Sequence, residues 1–117
     1  MGGIVMCTKS QLYSILNHVA DEAKQHLGDA LDAVILFGSY ARGDYDHESD
    51  VDIMIRINCD PAELEKYEDF FAVLCSRLSL ENDITVSIVT VSSILFEKYK
   101  NALPFYANAE KEGIRVA

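Results

Sequence analysis

Apolar residues recur at helical spacing near the start of the chain, at Leu12, Ile15, Leu16, Val19, Ala23 and Leu27. Thr8 with Gln11 three residues later reads as a capping box, and Gly28 as the stop, which predicts a first helix ending at 27. Ala30 to Phe37 is short, apolar and partly β-branched, so it reads as a buried strand broken at Gly38-Ser39, with a brief helical turn around Tyr40 to Arg42. Val51 to Ile57 alternates, with Val51, Ile53, Ile55 and Ile57 on one face and Asp52, Met54 and Arg56 on the other, which predicts a second strand. Asp60-Pro61 opens a helix whose stripe is Leu64, Tyr67, Phe71, Leu74 and Leu78, ending near Ser79. Ile84 to Val91 reads as a third strand, and Ser92-Ser93 caps a short helix running to about Lys100. Pro104 opens a last helix that finishes at Gly113, leaving Ile114-Arg115-Val116 to close the sheet as an edge strand. The expected architecture is α/β: a small mixed sheet backed by helices on one face.

At 117 residues and 50% hydrophobic, the chain predicts one domain over 1–117. Folding at this size hides about two thirds of the unfolded surface, so neither a disulfide nor a structural metal is required. Nineteen acidic residues against ten Lys and Arg give a net charge of −9, which opposes nucleic-acid backbones and anionic membranes as partners. Cys7, Cys59 and Cys75 are odd in number and hold no CxxC spacing, which fits a reducing, cytoplasmic setting. Apolar runs such as Ala33 to Phe37 fall far short of the roughly 20 residues that cross a bilayer. Met1-Gly2-Gly3 lacks the Ser or Thr of a myristoylation signal, because Met6 stands there, and residues 1–7 are expected to be a flexible or appended lead-in.

One stretch carries chemistry: Gly38-Ser39-Tyr40-Ala41-Arg42-Gly43, a loop of six residues, then Ser49-Asp50-Val51-Asp52. A glycine at the end of a buried strand lets the backbone turn sharply, and the amides that follow, with the Ser39 hydroxyl, become donors for phosphate. Asp50 and Asp52, two apart in extended chain, project to one face with Cβ atoms about 6 to 7 Å apart. Two like charges there call for a compensating cation, and carboxylates plus substrate phosphates suit Mg2+.

Gly-Ser-x-Ala-Arg-Gly followed at short distance by Ser-Asp-x-Asp resembles the signature of the DNA polymerase beta nucleotidyltransferase superfamily, and the short chain is similar to its minimal nucleotidyltransferases. The resemblance implies a palm-type fold in which Gly38 and Ser39 hold nucleotide phosphates, and Asp50 and Asp52 bind catalytic Mg2+. Arg42 and Ser49 also fall on motif positions, for electrostatics and loop bracing. It implies transfer of AMP from ATP to a hydroxyl, on a tyrosine of a HEPN-type toxin that the minimal members restrain as antitoxins.

The resemblance also implies a third carboxylate on the following strand, and here Ser87, in Val86-Ser87-Ile88-Val89, occupies its place. Serine supplies neither negative charge nor an effective base near neutrality. Asp83 is the nearest substitute, sharing strand parity with Ser87 but about 13 Å away along an extended chain. Three readings stay open: an enzyme working with one metal or with Asp83, a nucleotide-binding module without transfer, and a module that restrains its partner by contact alone. Self-association is open as well.

Asp44, Asp46, His47 and Glu48 read as a solvated acidic loop, and Glu110, Lys111 and Glu112 as a charged helix end. Tyr13, Tyr67, Tyr99 and Tyr106 read as packing or rim residues, whereas Tyr40 and Tyr45 stand close enough to the phosphate turn to stack on a nucleobase.

Overall fold

The computed structural model describes residues 8–46 and 49–117. The lead-in 1–7, with Cys7, and the loop residues His47 and Glu48 lie outside the described residues. Helix α1 (Lys9–Leu27) leads through a 3-10 turn (Gly28–Ala30) into β1 (Leu31–Phe37), then the four-residue α2 (Ser39–Arg42) and β2 (Val51–Ile57). A second 3-10 turn (Pro61–Glu63) opens α3 (Glu65–Asn82), followed by β3 (Val86–Ser92), α4 (Ser93–Tyr99), α5 (Pro104–Glu112) and β4 (Ile114–Arg115). The four strands form one mixed sheet in the order β3-β2-β1-β4, with β2 and β3 parallel and the other pairs antiparallel.

Local signals place most of these boundaries. The Thr8 hydroxyl accepts from the Gln11 N–H, as expected of an N-cap. The reciprocal half of the capping box is absent, because the Gln11 amide instead donates to the carbonyl of Asn82 at 2.7 Å, tying α1 to the end of α3. Helix α3 runs three residues past the expected stop and ends at Asp83, which adopts the left-handed conformation at φ 51 with its N–H on the Ser79 carbonyl. That extension takes Ile84 out of the strand, so β3 begins at Val86.

The helices lie on both faces of the sheet, not on one. Ile15, Val19 and Ala23 of α1 and Phe71, Leu74 and Leu78 of α3 pack against Val34, Leu36, Ile53 and Ile55. On the opposite face Phe96 of α4 and Ala109 of α5 close over Met54 and Val91, with Ile35 and Phe37 at the margin. The sequence alternation in β2 is therefore not an inside-outside alternation: Met54, on the polar parity, is as fully buried as Ile53 and Ile55. Arg56 shares that second face, paired with Asp32 at 3.2 Å and lying over the Phe96 ring. Strands covered on both sides read as continuous apolar runs, as Val34 to Phe37 and Ile53 to Ile55 do. No helix among the described residues is long and apolar enough to cross a membrane, and Cys59 and Cys75 are free thiols.

Candidate active site

The end of β1 and the start of β2 meet in antiparallel register, Phe37 opposite Asp52. Gly38 follows Phe37 at φ 75, a conformation that residues with a Cβ rarely adopt. Its missing side chain is a second requirement, since a Cβ on Gly38 would run into the Asp52 carboxylate. The backbone turn and one carboxylate are thus in van der Waals contact, which joins the two halves of the motif into one site. From Gly38 the chain enters α2, whose amides at Ala41 and Arg42 bond back to the Gly38 carbonyl. Ser39 opens the turn, its N–H at the first position of α2. Gly43, in the left-handed region, ends the turn with its N–H on the Ser39 carbonyl.

Asp50 stands exposed immediately before β2, and Asp52 is half-buried within it. Burial, and then the neighbouring charge of Asp50, push the Asp52 carboxyl above its ordinary value, with the Arg42 guanidinium pulling weakly the other way. The sign of the linkage follows. A carboxyl whose folded pKa is raised above its ordinary 3.8 holds its proton longer in the folded chain than in the unfolded one, so its ionisation costs stability as pH rises through the folded value. Asp52→Asn is therefore expected to melt higher than wild type at pH 7, with the difference vanishing below pH about 4, read by thermal denaturation across pH.

Arg42 and Ser49 brace this site from either side. The Arg42 guanidinium donates to Asp44 at 3.1 Å and reaches Glu112, at the end of α5, at 3.5 Å. The Ser49 hydroxyl accepts from the Asp46 N–H at 2.9 Å and donates to its carboxylate at 3.3 Å, while the Ser49 N–H bonds the Asp46 carbonyl. Ser49 thus closes a turn directly ahead of Asp50.

The parallel register decides the question of the third carboxylate. Ser87 of β3 lies opposite Asp52, so the residue beside Asp52 across the sheet is serine. Asp83 caps α3 and belongs to no strand, so the shared parity expected of it does not exist. Among the described residues no three His, Cys, Asp or Glu side chains gather where they could hold a metal ion. The donor set is two carboxylates, a hard oxygen pair of the kind that holds one divalent cation together with substrate oxygens.

Tyr40 and Tyr45 do not stand ready for a base. Tyr40 is buried in the core, and its ring stacks on Tyr45 at 4.3 Å and 13°. A different aromatic borders the site. A cavity of about 200 Å³ opens between the Gly38 turn and α5, lined by Phe37, Arg42, Phe105, Asn108 and Glu112. Phe105 and Asn108 are exposed, and Phe105 stands edge-on to Phe37. Phe105, Asn108 and Glu112 carry no local sequence signal of a site, since α5 reaches it through tertiary packing and follows the motif by more than fifty residues.

Comparison with known proteins identifies the family and the fold. The model of the nucleotidyltransferase domain family matches residues 16–116. A relative from Methanocaldococcus jannaschii, named "putative protein adenylyltransferase", is 38% identical over 95 residues, spanning 78% of this chain and 94% of its own length. The solved structure of a "putative minimal nucleotidyltransferase" superposes with a TM-score of 0.58 at 22% identity, covering 90% of this chain and 92% of that one. A crystal structure of a toxin-antitoxin with AMP-PNP gives a TM-score of 0.51 at 20% identity, over 87% of this chain and 72% of that one. These two structural likenesses establish the fold, and the sequence matches establish the kinship. With its Gly38 turn seated on the Asp52 carboxylate and its sequence matched from 16 to 116, this chain belongs to the nucleotidyltransferase domain family.

Proposed function

We propose that this chain binds a nucleoside triphosphate, ATP by preference, with Mg2+, and transfers AMP to a hydroxyl of a protein partner of the HEPN toxin type. The observation that carries the reading is the contact between the Gly38 backbone and the Asp52 carboxylate, with Asp50 two residues away. A phosphate donor turn and a charge-crowded carboxylate pair share one corner of the sheet. The adenylyltransferase name of a relative 38% identical supports the transferred group, and the AMP-PNP-bound toxin-antitoxin that shares the fold supports both nucleotide and partner.

In this reading the Ser39 amide and hydroxyl hold phosphate oxygens, and Arg42 adds positive charge at the rim. Asp50 and Asp52 hold Mg2+, which when bound neutralises the charge developing on the transferred phosphoryl group. The acceptor oxygen forms a bond to the α-phosphorus as the bond to the bridging oxygen breaks, pyrophosphate leaves, and the hydroxyl proton passes to water. Ser49 keeps the loop closed so that Asp50 stays beside Asp52.

Ser87 favours a second reading, a module that binds nucleotide and restrains its partner without transferring anything. Calorimetric titration of ATP into the full chain tests what both share. Binding is expected below millimolar ligand, at least tenfold tighter with Mg2+ than with a chelator, and no binding at millimolar ligand overturns the nucleotide site. Incubation with α-labelled ATP and the partner then separates the two, since label on the partner requires transfer.

A further inference from the structure

Phe105, Asn108 and Glu112 stand at i, i+3 and i+7 of α5, so they share one face of the helix, and that face walls the cavity of about 200 Å³ that Gly38 and Arg42 border from the other side. The wall is held in place from behind and from its end. Ala109 is buried in the cluster that holds Met54 and Phe96. Gly113, directly after α5, has no room for a Cβ, which would run into Ile35 of β1 and the Ala109 carbonyl. Glu112 meets Arg42 at 3.5 Å, tying the helix to the turn that Gly38 opens.

The chemistry of the lining suits a flat, uncharged group that carries hydrogen-bond donors. Phe105 keeps 45% of its surface exposed and stands at 85° to Phe37, which leaves its ring available for stacking. The Asn108 carboxamide both donates and accepts, whereas the Glu112 carboxylate only accepts, and its negative charge opposes a phosphate group. At about 200 Å³ the cavity is smaller than the roughly 300 Å³ or more that encloses a whole ligand, so it fits one ring system. Neither Asp50 nor Asp52 lines it. What sits there is therefore a part of the substrate remote from the reacting phosphorus, and an acceptor hydroxyl, which must reach the carboxylates, has to enter elsewhere.

We propose that this cavity is the nucleobase subsite, and that Asn108 and Glu112 make it select adenine over guanine. The inference rests on the nucleotide reading of the same corner and adds the residues that choose the base. Phe105 stacks on the ring. The Asn108 carboxamide accepts from the 6-amino group of adenine and donates to N7, the pairing that a carboxamide makes with this base. Glu112 accepts the second proton of the same amine. Guanine carries a carbonyl oxygen in place of that amine, which would set an acceptor against the acceptors of Asn108 and Glu112, so the lining rejects it as well as favouring adenine.

Calorimetric titration of the full chain with the Mg2+ complexes of ATP, GTP and inorganic tripolyphosphate tests the subsite. Wild type is expected to bind ATP about tenfold tighter than GTP, and GTP tighter than tripolyphosphate. Phe105→Ala is expected to weaken both nucleotides about tenfold, since stacking does not distinguish bases, and to leave tripolyphosphate unchanged; Phe105→Tyr, which keeps the ring, restores the loss. Asn108→Ala is expected to bring ATP and GTP to within about threefold of each other, again without effect on tripolyphosphate, which a merely structural role would not do. Equal affinity of wild type for all three, an ATP preference that survives Asn108→Ala, or a loss of tripolyphosphate binding in step with ATP overturns the subsite and leaves the nucleotide reading standing. So does a Phe105→Ala variant that loses only its hold on a protein partner. Binding of neither ATP nor tripolyphosphate by wild type overturns the nucleotide reading, and the subsite with it.

Discussion

Gly38→Ala is expected to abolish nucleotide binding, weakening it by about a hundredfold or more, a loss of roughly 3 kcal/mol at 1.4 kcal/mol per factor of ten. Two independent costs converge on that methyl group. The first is conformational, because φ 75 at Gly38 lies where an L-residue is strained by about 1 to 2 kcal/mol. The second is steric and falls on the chemistry: the new Cβ would occupy the place of the Asp52 carboxylate, so either the turn or the carboxylate must move. A turn that moves loses the aim of the Ser39 amide, and a carboxylate that moves leaves Asp50. Calorimetry with Mg·ATP reads the binding, and thermal denaturation separates it from stability. Gly43→Ala is the control, since Gly43 also has positive φ but open space around its missing side chain, and it should lose stability while keeping most of the affinity. Equal loss of binding in both variants would mean that strain in the turn matters and contact with Asp52 does not.

The contrast between these two glycines marks how far the sequence could be read. The spacing of Gly38, Ser39, Asp50 and Asp52 was legible because every one of them is fixed by local geometry: a strand that ends in a glycine, a short turn, and a period of two along the next strand. Helix α1 and strand β2 were legible for the same reason, each having one clear period. What was not legible depends on pairing at a distance. The second helical layer was hidden because Met54 and Val91 look like members of a polar-alternating face until Phe96 and Ala109 close over them. Tyr40 reads in sequence as a base platform, whereas its ring lies in the core against Tyr45. Glu112, Phe105 and Asn108 carry no local signal at all, and only the docking of α5 beside the Gly38 turn makes them neighbours of the site. The doubt over Asp83 was a question of register. Three extra residues of helix settled it, by converting a supposed strand position into a left-handed cap.

Register also sets the terms of the largest gain expected of any substitution. Ser87 faces solvent in part and stands across from Asp52, so an aspartate there would extend its carboxylate toward the same corner without entering the core. Ser87→Asp is expected to raise AMP transfer by about a hundredfold, at the lower end of what a positioned general base contributes. Affinity for Mg·ATP should change far less, because the phosphate turn and the first two carboxylates are untouched. The same substitution should lower stability without nucleotide, as a third negative charge beside Asp50 and Asp52 deepens a repulsion that already raises the Asp52 pKa. Mg2+ should then stabilise the variant more than wild type, which reports the new ligand independently of turnover. Asp83→Asn should change none of these quantities. If Ser87→Asp gains the Mg2+ response but no transfer, the missing carboxylate is not what limits the chemistry, and restraint of the partner by contact becomes the working account. A gain in both would mean that one serine separates this chain from a faster enzyme, since Asp52 and the Gly38 turn already stand in place around it.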